Sequence, residues 1–389
     1  MTSDLDIPVV PLAESPVCAA DPYPGLARLR ELGPAVRAHT SFMGEVWLVT
    51  RYDLARELLA DPRFSRRRPD DGEVAAVDSD PPDHTRIRRL VGKAFTHHRI
   101  QRLRGWVQEL VDGMLDELDT EGPVDLLDRF AYRLPIAVIC EMLGAPESDR
   151  DDVRARTEKI LAGEVAENRE EVYDRTKDYI VELIARKRAE PGEDLLSALI
   201  AARDGDAVLS EPELVELGIA LIAAGYATTT NLIGNGIHAL LTNPDQLALL
   251  RERPELIGSA VEEFLRYESS FSAAGQIARE DIETAGLRIR AGDVVLISFC
   301  GANRDPRRFP DPDRLDITRD PNPHLAFSHG IHHCLGAPLA RLEAEIAIGT
   351  VVRRFPGLAL AGPVSWRENI MRGLHALPVT LGEPRRARS

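Results

Sequence analysis

The residues of this sequence that are best suited to chemistry lie in one short stretch, "FSHGIHHCLG", which runs from Phe327 to Gly336. It brings His329, His332, His333 and Cys334 close together and frames them with glycines. Imidazole and thiolate groups are common metal ligands. The stretch therefore raises the question whether Cys334 binds a metal, and which one.

Three interpretations of Cys334 follow from the residues alone. A zinc site needs about four nitrogen or sulfur ligands in spaced pairs, and a loop this short can hardly wrap four side chains around one ion. A second interpretation is a buried structural cysteine among surface histidines. The third is one thiolate as the sole axial ligand of a haem iron, which requires glycines that let the backbone approach the macrocycle. Gly330 and Gly336 suit it, and a helix predicted to follow Cys334 would favour an anionic thiolate through its N-terminal dipole.

The same stretch resembles the haem-binding signature of the cytochrome P450 family, F-G-x-G-x-H/R-x-C-x-G. The matching residues are Phe327, Gly330, His332, Cys334 and Gly336. A serine, Ser328, replaces one glycine of the signature. The resemblance covers nearly the whole chain, and its nearest type is the soluble bacterial enzymes that tailor polyketides and other secondary metabolites. It implies haem b as cofactor, with Cys334 as the axial ligand of the iron.

Two further motifs match the family. "EFLR" contains Glu263 and Arg266 at the E-x-x-R spacing, although Glu and Arg three residues apart also occur on any solvated helix face. In the family these residues and an arginine like Arg314 form a structural network. "HTRIR" resembles the helix that binds the haem propionates, and its His84 and Arg88 would share one helix face.

The stretch "AAGYATTT" resembles the family's oxygen-binding motif A-G-x-D/E-T-T. Ala224, Gly225, Thr228 and Thr229 match, and the resemblance implies that they form a groove for dioxygen and help to relay protons. The acidic position holds Ala227, which removes one proton carrier. A simpler interpretation of Thr228 is a hydrogen bond to the helix carbonyl four residues before it.

A second departure concerns the haem propionates. By alignment on "ARED", Gln276 stands where relatives carry an arginine that pairs with a propionate. Glutamine can donate a hydrogen bond but brings no charge. Arg279 or another cation is the alternative source of that charge.

The walls of the substrate pocket are placed by analogy with the family. We expect them to come from Glu73–Val77, the Leu221–Thr229 helix face, Phe271–Ala274 and Ile370–Met371.

The elements that must position these residues are mainly helices. Ser210 and Glu213 form a capping-box pattern, and the helix that follows should run to Asn243, where Pro244 ends it. Shorter patterns predict a helix at Tyr23–Leu32 and a strand at Glu45–Thr50. "LRIRAGDVVLISF" predicts a hairpin that turns at Ala291 and Gly292.

These patterns predict a mainly α chain with a minor β portion. With the resemblance, the fold class is the cytochrome P450 fold, as one haem-thiolate domain over residues 1–389. We expect a helix-rich core with a small N-terminal β region.

Composition limits the partners. The formal net charge of −15 would repel phosphate, so we expect no nucleic acid. No apolar run approaches the ~20 residues of a membrane span, and no secretion signal is evident. The four cysteines lie far apart, which favours a reducing cytoplasm. We also expect a monomer.

A run of cations lies within this acidic sequence, from His84 to Gln108. Its members are Arg86, Arg88, Arg89, Lys93, Arg99, Arg102 and Arg104. Such a run is often only a solvated face. The family docks its electron donor next to this helix, so the resemblance implies a separate ferredoxin with its ferredoxin reductase.

The function that follows is a haem-thiolate monooxygenase that hydroxylates or epoxidises an apolar secondary metabolite such as a polyketide or macrolide. One alternative is oxidative coupling, dehydrogenation or peroxide-driven chemistry, which Ala227 suggests. Another is a non-catalytic relative that docks a carrier protein, although such a protein could dispense with Cys334 and Thr228. The substrate itself is a small molecule, either free or tethered to a carrier.

Overall fold

The computed structural model describes residues 10–11, 17–40, 43–67, 79–161, 169–202 and 207–384. Helices dominate the described chain. They are α1 (Tyr23–Leu32), α2 (Tyr52–Ala60), α3 (Asp83–Ala94), α4 (His97–Asp116), α5 (Arg133–Leu143), α6 (Arg150–Leu161), α7 (Arg169–Ala189), α8 (Leu195–Ala201), α9 (Glu211–Thr242), α10 (Pro244–Glu252), α11 (Ile257–Tyr267), α12 (Phe299–Ala302) and α13 (Ala337–Arg354).

The strands are short and group into three sheets. They are β1 (Val10–Pro11), β2 (Ala35–Thr40), β3 (Gly44–Val49), β4 (Phe64–Ser65), β5 (Val124–Asp125), β6 (Ala273–Ala278), β7 (Ile282–Thr284), β8 (Leu287–Ile289), β9 (Val294–Ser298), β10 (Ala359–Leu360) and β11 (Pro378–Thr380). The largest sheet has the order β1-β2-β3-β9-β6-β4. The N-terminal strands β1 to β4 and the later strands β6 and β9 join in this one sheet.

The central helix α9 begins and ends as the sequence predicts. Ser210 caps it in a capping box with Glu213, and Asn243 follows its last turn. Its second half, from Thr229 to Ile237, is buried throughout. Helices α5, α11 and α13 pack against it and enclose the main hydrophobic core. Among the described helices, α9 alone has the length and apolar composition of a membrane span, and 61% of its most apolar window is buried inside the protein.

The predicted hairpin over Leu287–Phe299 is wrong. Strand β8 pairs with β7 through a two-residue turn at Ala285 and Gly286, whereas β9 pairs with β3 and β6 in another sheet. Both turn residues have positive φ (48° and 77°), as a tight type I′ hairpin requires. The bend at Gly292, which suggested a hairpin in the sequence, instead directs the chain from one sheet to the other.

Candidate functional site

Cys334 lies in the loop before α13, and its surroundings favour a thiolate only in part. Its side chain is accessible to solvent, yet the surrounding protein desolvates the thiol and raises its pKa. The backbone N–H groups of Gly336 and Ala337 donate to the sulfur and, with the charges of Arg88 and Arg341, act to lower that pKa. A cation that binds the sulfur would complete the stabilisation of the thiolate.

The loop that carries Cys334 is held in a fixed shape. The N–H of Cys334 donates to the carbonyl of Phe327 at 2.8 Å. Ser328 has a φ of 62°, which explains why a glycine is usual at this position. Gly330 has a φ of 73°, and a Cβ there would lie 2.6 Å from the carbonyl oxygen of Leu59 on α2. The glycine therefore allows the loop to pack directly on α2.

The residues expected to bind propionates come together around this loop. His84 and Arg88 both lie on α3, and His84 is almost fully buried. The rings of His84 and His332 lie 4.5 Å apart between centroids. Arg88 donates to the carbonyl of His333. Burial and the charges of Arg88 and Arg66 lower the pKa of His84, so His84 is a neutral hydrogen-bonding group at neutral pH.

The oxygen-motif residues lie in the middle of α9, where the helix presents accessible surface. Ala224 is exposed and Gly225, Ala227 and Thr228 are half-buried, whereas Thr229 is buried. A Cβ on Gly225 would touch Ile139 in ordinary contact at 3.7 Å, so the protein has room for a methyl group there.

The hydroxyl of Thr228 donates to the carbonyl of Ala224 at 2.7 Å. This is the bond to the carbonyl four residues before that the simpler interpretation predicts, so that interpretation accounts for the position of the Thr228 side chain. That bond uses only the donor of the hydroxyl, and its lone pairs can still accept a proton or hydrogen bond from a bound group.

Gln276 on β6 and Arg279 just beyond it are the two candidate partners of a propionate, and they differ in burial. Gln276 is buried, and its Oε1 has no hydrogen-bond partner among the described residues. Arg279 lies just beyond β6 with an exposed side chain, and its N–H donates to the carbonyl of Arg63. The sequence left these alternatives open.

The E-x-x-R network is present with a different third arginine. Arg266 binds both carboxylate oxygens of Glu263 at 2.7 and 2.8 Å, and neither side chain is exposed. The additional arginine side chain on Glu263 is Arg319, at 3.2 Å, and not the predicted Arg314. Arg314 is exposed and contributes its backbone carbonyl, which accepts from Arg266. The Asp316 turn places Arg319, rather than Arg314, against Glu263.

The predicted pocket walls are partly described. Ser272 donates its N–H to the carbonyl of Ile370 at 2.9 Å, so the Phe271–Ala274 and Ile370–Met371 segments are neighbours. The helix face of Leu221–Thr229 contains the accessible residues above. The segment Glu73–Val77 lies outside the described residues.

Acidic residues from other elements neutralise much of the cationic run. Salt bridges join Arg86 to Glu213, Arg102 to Glu193, and Arg104 to Glu345. Arg99 donates to the carbonyl of Ala94. Arg89 and Lys93 are exposed and lie one turn apart on α3.

Two contributors to the site were missed in the sequence. Arg341, whose charge acts on Cys334, lies in the second turn of α13. The helix predicted directly after Cys334 was therefore a usable signal for it. Arg341 also lies 4.6 Å above the ring of Phe327. Ile331 is 47% exposed in the cysteine loop, and no pattern in the sequence indicates this.

The combined features suit a haem. Across the described parts of the chain, no group of three or more His, Cys, Asp or Glu side chains lies together as a metal site would need. Cys334 offers a single accessible sulfur with N–H donors. One thiolate, cationic and imidazole partners for propionates, and an open helix face are what a haem-thiolate site requires.

Comparisons with known proteins agree with this chemistry. The sequence model described as Cytochrome P450 matches residues 136–360. The chain is 45% identical to the vitamin D(3) 25-hydroxylase of Pseudonocardia autotrophica, over 94% of this chain and 95% of that protein.

Solved structures are similar over nearly their whole length. The enzyme CxnD for C–S bond formation in chuangxinmycin biosynthesis superposes with a TM-score of 0.90 at 36% identity, over 97% of this chain and 98% of that one. The cytochrome P450 PksS of the bacillaene polyketide synthase of Bacillus subtilis 168 gives 0.89 at 39% identity, over 94% and 97%.

Proposed function

The chain belongs to the cytochrome P450 family and is a haem-dependent monooxygenase, and from this premise we propose that it oxidises a medium or large apolar secondary metabolite such as a polyketide or macrolide. The observation that carries the proposal is the accessible thiol of Cys334, with N–H donors at the sulfur and no protein co-ligands among the described residues. Support for the substrate class comes from the relatives, one of which hydroxylates vitamin D(3) and another of which is named for a polyketide synthase.

We propose that the cysteine loop and α3 hold the haem. When bound, the haem supplies the iron at which dioxygen is reduced, and a thiolate ligand favours cleavage of the O–O bond. Cys334 would ligate the iron, and the N–H groups of Gly336 and Ala337 would fix the position of the sulfur. His84, Arg88 and His332 would bind propionates as neutral and cationic donors. Phe327 and Gly330 would keep the loop in its shape.

We propose that the open face of α9 handles oxygen and protons. Ala224 and Gly225 would leave the space for dioxygen, and the Thr228 hydroxyl would accept or pass a proton. Thr229 is buried, so it would pack inside the protein rather than face that space. Because Ala227 carries no proton, water or a substrate hydroxyl would bring protons to Thr228.

A second candidate function is oxidative coupling or dehydrogenation, which needs less proton delivery. It is favoured by Ala227 and by the similarity to an enzyme named for C–S bond formation. Ala227→Glu separates the two. A hydroxylase should keep or raise its product yield per electron when the carboxyl is restored, whereas a coupling enzyme should gain nothing.

The proposed electron donor is an acidic ferredoxin served by a ferredoxin reductase. Exposed Arg89 and Lys93 lie on α3, which contacts the cysteine loop where Arg88 donates to the carbonyl of His333. Ile331 of that loop is also exposed, so α3 and the loop offer positive charge and an apolar side chain to a partner. We also propose a cytoplasmic location, since none of the four cysteines forms a disulfide. We propose a single domain over the chain, since helices such as α2 and α12 contact strands of the largest sheet.

An optical titration of the ferric protein tests the proposal. Macrolactones, small aromatic acids and carrier-tethered acyl groups are added separately while the Soret band is followed. A high-spin shift with free macrolactones supports the proposed substrate class, and a response only to carrier-tethered groups assigns the substrate to a carrier. Absence of any haem band in protein expressed with haem would overturn the function itself.

A further inference from the structure

Gln276 leaves the haem site one positive charge short of the family pattern. Its side chain is 4% exposed, and its Oε1 has no hydrogen-bond partner within the described parts of the chain. A buried amide can donate to a carboxylate but cannot neutralise it. If the haem binds as proposed, a further cation near the propionate would supply the charge that Gln276 lacks.

The register of the largest sheet identifies that cation. Strands β4 and β6 are antiparallel, with Phe64 opposite Ala278 and Ser65 opposite Ile277. The pairing ends at Ser65, and the chain bends at Arg66, directly after β4. Gln276 is the residue of β6 that comes next to Ile277, the partner of Ser65. Arg66 therefore leaves the end of β4 near the position of Gln276.

The contacts of Arg66 direct it toward the haem loop. Its Nη2 donates to Ser328 Oγ at 3.3 Å, and Ser328 lies in the loop that carries His332 and Cys334. The side chain is half-buried. After burial and the charge of Arg88, the charge of Arg66 also lowers the pKa of His84, so Arg66 lies in the electrostatic neighbourhood of the propionate-binding residues.

Arg279, the alternative source of charge in the sequence, is less suitable. It stands three residues after Gln276, and side chains three apart along a strand project from opposite faces. Its side chain is also exposed.

We infer that Arg66 replaces the missing arginine and neutralises a haem propionate, so that the cation has moved across the β4–β6 pair from position 276 to position 66. The inference rests on the proposed haem function. Gln276 would then only donate a hydrogen bond to the same carboxylate.

The test uses haem-loaded protein and two readouts other than turnover. These are the rate of haem transfer to excess apomyoglobin and the reduction potential of the iron. Arg66→Gln should lose haem roughly tenfold faster, because a charge-assisted hydrogen bond is lost, and its potential should fall, because the ferric state is then less disfavoured. Arg66→Lys should retain most of both properties. Arg67→Gln, one residue on and exposed, is the matched control and should match the wild type.

Two further variants separate propionate binding from a purely structural role. The exchange variant Arg66→Gln with Gln276→Arg should recover the wild-type potential and haem retention. Ser328→Gly removes the hydroxyl that Arg66 binds and should leave the potential unchanged. If Ser328→Gly reproduces Arg66→Gln and the exchange does not rescue it, Arg66 only holds the loop and the inference is overturned.

Two other outcomes are distinguishable. A haem-loaded Arg66→Gln with unchanged potential and haem loss overturns the inference while the proposed function stands. A wild-type protein that takes up no haem overturns both. Circular dichroism of each variant shows whether the fold is intact.

Discussion

Arg266 and Glu263 form a bidentate ion pair with no exposure of either side chain, and the second arginine on that carboxylate is Arg319. The Glu263 carboxylate also accepts from the N–H of Asp316 and from Asn322. The motif therefore fastens α11 to the long segment that leads to the cysteine loop. Its role in the structure is to position that segment.

The first prediction separates Arg319 from Arg314. Arg319→Ala should lower the free energy of unfolding by about 3 kcal/mol, because it leaves a buried carboxylate short of a charged partner. Arg314→Ala should cost less than ~0.5 kcal/mol, since its side chain is exposed and only its carbonyl is used. Urea denaturation of the two variants measures the difference. Equal losses would show that the network is assigned to the wrong side chain.

The second prediction concerns the contact between the cysteine loop and α2. Gly330→Ala should destabilise the protein and accelerate haem loss, because its Cβ would clash with Leu59 and Ala60. Gly286→Ala is the matched control, since Gly286 has a similar φ of 77° with nothing within 4 Å of its Cβ. The control pays only the backbone strain, about 1 kcal/mol, so it should retain haem normally. Equal haem loss in both variants would contradict the claim that the loop needs close packing of Gly330 on α2.

The third prediction concerns Glu343, a buried carboxyl on α13. Burial raises its pKa well above the ordinary value of 4.5, and its Oε2 has no partner among the described residues. The folded protein therefore keeps this proton while the unfolded chain releases it. Stability is full below that ordinary value and falls as pH rises toward the folded pKa, with a slope of at most about 1.4 kcal/mol per pH unit.

Glu343→Gln removes this titration. Between about pH 5 and about pH 8, the variant should lose less stability than the wild type. Glu141→Gln, at an exposed carboxyl on α5, is the control for the loss of a surface charge. Urea denaturation across this range gives the slopes, and parallel curves for wild type and Glu343→Gln would contradict the assignment.

The fourth prediction tests the proposed donor surface. Reversing the charges of Arg89 and Lys93 together to glutamate should raise the KM for an acidic ferredoxin and weaken its dependence on salt. Substrate binding, measured by the Soret shift, should not change. Arg28→Glu, an exposed cation on α1, should leave the KM unchanged. A KM that responds equally to both changes would indicate a net-charge effect without a docking surface.

Local signals in the sequence located the elements well. The capping box at Ser210 and the proline after Asn243 act within a few residues, and α9 begins and ends there. The hairpin at Leu287–Phe299 failed because strand pairing is non-local. The bend at Gly292 resembles a hairpin turn, but β9 finds its partners in β3 and β6, which are remote in sequence.

The site shows the same contrast between local signals and non-local contacts. The motifs predicted the cysteine loop, His84, Arg88 and the face of α9 as site residues, because each motif has a fixed spacing within one element. The role of Arg319 depends on a turn at Asp316, and the neighbourhood of Arg66 depends on the register between β4 and β6. Neither a turn of this kind nor a cross-strand register can be read from spacing along one chain.

The most direct test of the account is the ligand of the iron. Reduced, haem-loaded protein is exposed to carbon monoxide, and the difference spectrum is compared for wild type, Cys334→Ser and Cys18→Ser. Cys334 as the axial thiolate predicts the thiolate-type band in wild type and Cys18→Ser, and its loss in Cys334→Ser. A Cys334→Ser protein that keeps the thiolate-type band would contradict the central claim.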